Sequence, residues 1–112
     1  MNMQTNEAKI IIYNKLIRDN IPEIIAKSGK ACEFTSVSGD EFIELLNEKL
    51  HEEVHEYLLS GSIEELADII EIIYSILDSK QLSLEDLEII RIDKLKTHGG
   101  FARKLLLKAV IE

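Results

Sequence analysis

Two short acidic motifs carry the chemistry that this sequence offers. Glu52-Glu53-Val54-His55-Glu56 and Glu65-Leu66-Ala67-Asp68 lie on either side of Ser60-Gly61. Each places two carboxylates three residues apart, Glu53 with Glu56 and Glu65 with Asp68. On a helix, residues three apart share a face. If both segments are helical and the chain reverses at Ser60-Gly61, the pairs face each other. Carboxylates brought together this way repel unless a cation lies between them, and hard divalent ions such as Mg²⁺ take such oxygen ligands.

The spacing makes that geometry specific. Glu56 stands four residues before Ser60 and Glu65 four after Gly61, while Glu53 and Asp68 stand seven away on each side. At about 1.5 Å of rise per residue, Glu56 is expected level with Glu65, and Glu53 with Asp68. Glu65 has a competing role, because Ser62-Ile63-Glu64-Glu65 reads as a capping box in which Glu65 would partner Ser62. Asp68 has no such role. An acid among Leu66, Ala67, Ile69 and Ile70 calls for a specific partner.

Other metal chemistries share these residues. His51-Glu52-Glu53-Val54-His55 matches H-E-x-x-H, the zinc metalloprotease helix. A catalytic zinc takes three protein ligands, and the only further histidine is His98. His51 and His55 also lie well off the apolar stripe of their helix, toward water. Glu48-x-x-His51 and Glu52-x-x-His55 resemble half of a carboxylate di-iron site, which requires Glu-x-x-His on two helices. The second motif offers Glu65-x-x-Asp68 instead.

The positioning elements follow from punctuation and periodicity. Pro22 after Asp19-Asn20 predicts a helix start, and Gly29 its end near Lys27. Serines three residues before an acid predict helix starts at Ser38 (acid Glu41), Ser62 (Glu65) and Ser83 (Asp86), the last as the weaker box. The second helix is expected over about 40–59, with Ile43, Leu46, Leu50, Val54, Tyr57 and Leu58 as its apolar stripe and Gly61 as its stop. The third is expected over about 63–79, apolar around most of its circumference and so central or at a subunit interface. The fourth is expected over about 84–96, before the His98-Gly99-Gly100 break, with an ordered tail of open type over 101–111. Short strands are expected near 9–13 and 31–37. The fold class is mainly all-α, a four- to five-helix bundle in a single domain over 1–112.

With 112 residues and a net charge of −8, the chain suits one domain, and general binding to nucleic acid or an anionic membrane is disfavoured. Charge is segregated: 40–71 holds eleven acids against one basic residue, Lys49, while the flanks carry most of the lysines and arginines. An acidic centre that holds a cation, between cationic ends, suits a metal-bound polyphosphate. The lone Cys32 excludes an internal disulfide and is expected as a small core residue in a reducing cytosol. A polar 1–9 and the lack of a long apolar run point to a cytoplasmic protein without a membrane span.

Three segments together resemble a known family. E-E-x-x-E followed by E-x-x-D on a helical hairpin resembles the MazG-like all-α nucleoside triphosphate pyrophosphohydrolases, relatives of phosphoribosyl-ATP pyrophosphohydrolase. Lys15-Leu16-Ile17-Arg18-Asp19-Asn20-Ile21-Pro22 resembles the K-L-V-R-D-x-I-P start of a small single-domain branch. Lys94-x-x-x-His98-Gly99-Gly100-Phe101 resembles its K-x-x-x-R-G-G-F segment. The resemblance spans roughly 13–107.

It implies that Glu53, Glu56, Glu65 and Asp68 bind Mg²⁺, or Mn²⁺ in its place. The implied reaction is hydrolysis of a nucleoside triphosphate or its deoxy form to a monophosphate and pyrophosphate, with housekeeping of non-standard nucleotides as the expected role. Glu52 and Glu53 are the expected acidic catalytic residues, Glu52 through a second metal or the attacking water. Lys94 matches a phosphate contact, with Lys49 and Arg18 as further ones. His98 replaces the family arginine; neutral histidine binds phosphate more weakly near pH 7. A homodimer or tetramer is implied. Phosphoribosyl-ATP hydrolysis is the alternative within the class, and a non-catalytic acidic helical module for oligomerisation or protein binding the alternative outside it. No P-loop pattern and no Ser/His/Asp triad is present, which disfavours a kinase-like or covalent route.

Overall fold

The computed structural model describes residues 9–112, and they are mainly all-α. Four helices follow in order: α1 (Ile21–Lys27), α2 (Gly39–Ser60), α3 (Ile63–Ser79) and α4 (Leu84–His98). The chain forms two compact units that divide within α3, one ending at Ile72 and the other beginning at Ile73.

In the first unit, α1 has Pro22 in its opening turn, where a missing amide hydrogen is no loss. The Ile21 amide bonds the Arg18 carbonyl at 3.1 Å, joining the preceding segment to the helix. α2 supplies the buried Leu46, and α3 the buried Ile72. The turn between these helices is decided at Gly61. Its φ of +66° is left-handed, and its amide closes on the Tyr57 carbonyl at 2.7 Å. That conformation costs a residue with a Cβ about 1–2 kcal/mol.

The second unit contains the rest of α3 with the buried Leu77, then α4. The Leu82 amide reaches back to the Leu77 carbonyl at 2.9 Å, ending α3. Ser83 and Asp86 then form a complete capping box on α4, each side chain accepting from the other residue's amide. Thus the weakest of the three predicted boxes is the one that forms.

The other two differ. Ser38 is the N-cap of α2 but makes no side-chain capping bond. Ser62 Oγ accepts from the Glu64 amide and donates to the Glu64 carboxylate, so Glu64, not Glu65, is its partner. The reason is proximity: with Ile63 as the first helical residue, Glu64 folds back onto Ser62, and Glu65 is left to point elsewhere.

Further expectations are corrected. Neither 9–13 nor 31–37 forms a strand, and the described residues contain none. These runs are apolar enough to pair, yet no neighbouring strand exists to complete a ladder. Cys32 is exposed, not in the core, because its segment is uncovered. α2 begins one residue earlier and ends one later than expected, and α4 runs two residues further, to His98. The tail over 101–111 is neither helix nor strand beyond a turn at Phe101.

Among the described residues, only Leu46, Ile72 and Leu77 are buried and apolar, while Ile63, Leu66, Ile70 and Tyr74 stand exposed along α3. α3 therefore has an apolar face that the described residues leave exposed. Among the described residues, no helix is long and apolar enough to cross a membrane.

Candidate metal centre and phosphate-contact residues

The first unit places the acidic motifs together. Glu53 and Glu56 from α2 and Glu65 from α3 bring carboxylate oxygens within 4.8 Å of one another. This follows from the turn: reversal at Gly61 sets Glu56 beside Glu65, and the three-residue step adds Glu53 on the same face. Releasing Ser62 to Glu64 leaves Glu65 available for the cluster.

Glu53 is the unusual member. Only 6% of the residue is exposed. Its Oε1 lies 3.6 Å from Lys49 Nζ, while Oε2 is buried with no hydrogen-bond partner among the described residues. A buried anionic oxygen without a donor is costly. Burial, first, and the negative charge of Asp68, second, push the Glu53 carboxyl above its ordinary range, against the pull of Lys49. An all-oxygen donor set with one unsatisfied buried oxygen fits a hard divalent cation such as Mg²⁺ or Mn²⁺.

Asp68 lies outside the close triple. Its charge is felt at Glu53, but its Oδ1 accepts from Arg18 Nη2 at 2.6 Å. Glu52 is also engaged by the segment before α1: its Oε1 accepts from Lys15 Nζ at 2.9 Å, and its Oε2 lies 3.7 Å from Lys49 Nζ. The Lys15 bond is the main reason that the Glu52 carboxyl is held below its ordinary range, and the same bond raises Lys15. Lys15 also stands 5.6 Å above the Tyr13 ring, a cation–π distance. Two residues expected at phosphate, Arg18 and Lys49, thus spend their charge on carboxylates of the site.

Lys15 is the residue that sequence reasoning missed as part of this cluster. Its signal was available, since it stands three residues before Arg18 in the same motif, but nothing local names Glu52 as its partner. His51 and His55 are exposed and are not part of the carboxylate group. The zinc and di-iron arrangements are therefore not assembled here.

The second unit holds the remaining candidates. Arg91, Lys94, Leu95, His98, Gly99, Gly100 and Phe101 line a concave pocket of about 440 Å³. Lys94 has no ion-pair partner among the described residues, whereas Arg91 is clamped by Glu88 through Nε at 2.9 Å and Nη2 at 2.8 Å. His98 Nδ1 lies 2.7 Å from Thr97 Oγ1. Phe101 is 97% exposed, so its ring is open to a flat partner.

No protein-family model, no curated protein and no solved structure matches this chain.

Proposed function

We propose that this chain is a divalent-ion-dependent nucleoside triphosphate pyrophosphohydrolase of the MazG-like type, cleaving a nucleoside triphosphate to a monophosphate and pyrophosphate. The observation that carries this reading is the Glu53–Glu56–Glu65 group with its buried, unpartnered Glu53 oxygen. The motifs around Lys15–Pro22 and Lys94–Phe101 support it by their resemblance to the family.

In this reading Glu53, Glu56 and Glu65 hold the cation, with Asp68 as the fourth carboxylate. Bound there, Mg²⁺ or Mn²⁺ supplies charge neutralisation for the polyphosphate and acidifies water. Glu52, held ionised by Lys15, accepts a hydrogen bond from water and orients it. Lys94 provides a direct positive charge for a phosphate oxygen. Lys49 keeps Glu53 from carrying an uncompensated buried charge. His98 stands where the family places an arginine and offers an imidazole in place of the guanidinium fork. The exposed apolar face of α3 is covered by a second copy of the chain, giving a homodimer or a tetramer built from two dimers.

The test is incubation of the purified chain with Mg²⁺ and a panel of ribo-, deoxyribo- and modified nucleoside triphosphates, with phosphoribosyl-ATP included. Pyrophosphate release that is lost in E53Q supports the enzyme. Absence of turnover across the panel, together with divalent-ion affinity unchanged in E53Q, leaves a non-catalytic acidic module.

A further inference from the structure

The segment before α1 places one cation on each helix of the carboxylate hairpin. Lys15 reaches Glu52 of α2 at 2.9 Å, and Arg18 reaches Asp68 of α3 at 2.6 Å. Between them Leu16 is half-buried, and the Arg18 carbonyl is tied to the Ile21 amide at the start of α1. The two cations are thus presented from one anchored strap.

The surrounding charges do not balance. Glu52, Glu53, Glu56, Glu65 and Asp68 face Lys15, Arg18 and Lys49. Fully ionised, five carboxylates against three cations leave two negative charges, the amount that one divalent ion neutralises. The residual demand is localised: the Glu53 side chain is only 8% exposed, lends a carboxylate oxygen to the group and carries the buried Oε2 that has no hydrogen-bond partner among the described residues. The strap's own ion pairs are half-open to solvent, with Arg18 at 55% and Asp68 at 38% exposure. Pairs of that exposure are weak and are exchanged readily.

We propose that Arg18 is a metal-gated phosphate-binding residue. Arg18 competes with a divalent ion for the Asp68 carboxylate. When Asp68 turns to the ion, the guanidinium is released at the rim of the site, where it takes oxygens of the polyphosphate, while Lys15 stays on Glu52 and holds the strap in place. Arginine suits the exchange, because its planar donor fork matches carboxylate and phosphate alike. Charge is conserved through the exchange: Asp68 replaces one cation with another, and Arg18 replaces one anion with another. Metal and nucleotide then bind with positive coupling, since each removes the competitor of the other. This inference rests on the reading of Glu53, Glu56, Glu65 and Asp68 as a divalent-ion site.

The test is calorimetric titration of the full-length protein with Mn²⁺ in the absence of nucleotide, then with a non-hydrolysable nucleoside triphosphate at saturating Mn²⁺, for wild type, R18Q and R18K. The expected result has opposite signs. R18Q binds Mn²⁺ about two- to fivefold more tightly, the range that an exposed ion pair spans. It binds the nucleotide at least about tenfold more weakly, as loss of a charge-assisted contact dictates. R18K retains both functions in part. A residue that merely braces the fold would weaken both bindings together, so that outcome overturns the proposal. Unchanged Mn²⁺ affinity in R18Q, with wild type binding Mn²⁺ well, also overturns it and leaves the metal centre standing. Absence of Mn²⁺ binding by every form removes the metal centre, and the strap falls with it.

Discussion

Glu53 of α2 and Glu65 of α3 bring carboxylate oxygens within 4.8 Å of each other across the Gly61 turn, with Glu56 completing the group. Both are acids, and Glu53 is nearly buried. Hydrophobic packing alone would not select such a contact, because a buried carboxylate loses hydration that a like-charged neighbour cannot replace. The contact is a local conflict in the fold, and conflicts of this kind mark functional sites more often than structural ones.

That conflict gives opposite effects to one substitution. Glu53→Gln removes the buried charge that Asp68 and burial both oppose. Without divalent ions at pH 8, E53Q is expected to melt at a higher temperature than wild type, by an amount corresponding to about 1 kcal/mol, the lower end of the cost of an unsatisfied buried group. With Mn²⁺ added, the order reverses, because E53Q loses about tenfold or more in ion affinity while wild type gains stability from binding. Thermal melts with and without Mn²⁺ check both halves.

The two neighbouring glutamates titrate in opposite senses. The Glu53 carboxyl in the folded chain lies above its ordinary value of 4.5, so the unfolded chain holds fewer protons in that window. Its contribution makes the ion-free fold less stable as pH rises from about 4.5 through the raised value. The Glu52 carboxyl lies below 4.5 because of Lys15. Its stabilisation is present above 4.5 and is lost as pH falls through the lowered value. Denaturation across pH 3–8 in chelator is therefore expected to show E53Q gaining on wild type as pH rises, and E52Q losing its deficit as pH falls.

Lys94, which has no ion-pair partner among the described residues, lies beside His98 and Phe101 in its pocket. Lys94→Ala is expected to lower kcat/KM for the preferred nucleotide by about 10- to 100-fold, the range for one charge-assisted hydrogen bond. His98→Arg is expected to raise nucleotide affinity, because the guanidinium brings a fixed charge and a donor fork that matches phosphate. Steady-state kinetics of both variants between pH 6 and 9 check this.

If a second copy covers α3, as proposed, stability depends on association. With Leu46, Ile72 and Leu77 the only buried apolar residues among those described, the chain is expected to melt at temperatures that rise with protein concentration. Charging the uncovered face of α3 with Leu66→Glu or Ile70→Glu is expected to reduce the sedimenting species to monomer and to remove that dependence. Analytical ultracentrifugation and concentration-series melts measure both.

The helices were legible because their ends are written in local chemistry. Gly61 supplies a left-handed stop that few other residues accept, and Ser83 with Asp86 caps α4 from within one turn. Glu56 and Glu65 were legible for the same reason: the turn fixes their heights. What was not legible depended on competition or on distance. Two acids follow Ser62, and spacing alone chose Glu65 where the folded chain uses Glu64. The Arg18–Asp68 bond joins residues 50 apart, and no periodicity reports such a pair. The apolar runs near 9–13 and 31–37 suggested strands, because propensity describes a segment and a strand requires a partner.

The central claim is that this carboxylate group holds a divalent ion for cleavage between the α- and β-phosphates. Phosphorus-31 NMR of a nucleoside triphosphate incubated with the protein and Mg²⁺ tests it most directly, because it identifies both products at once. The expected result is growth of monophosphate and pyrophosphate signals, abolished by chelator and by Glu53→Gln. Nucleoside diphosphate with orthophosphate, or turnover that survives both chelator and Glu53→Gln, would contradict it.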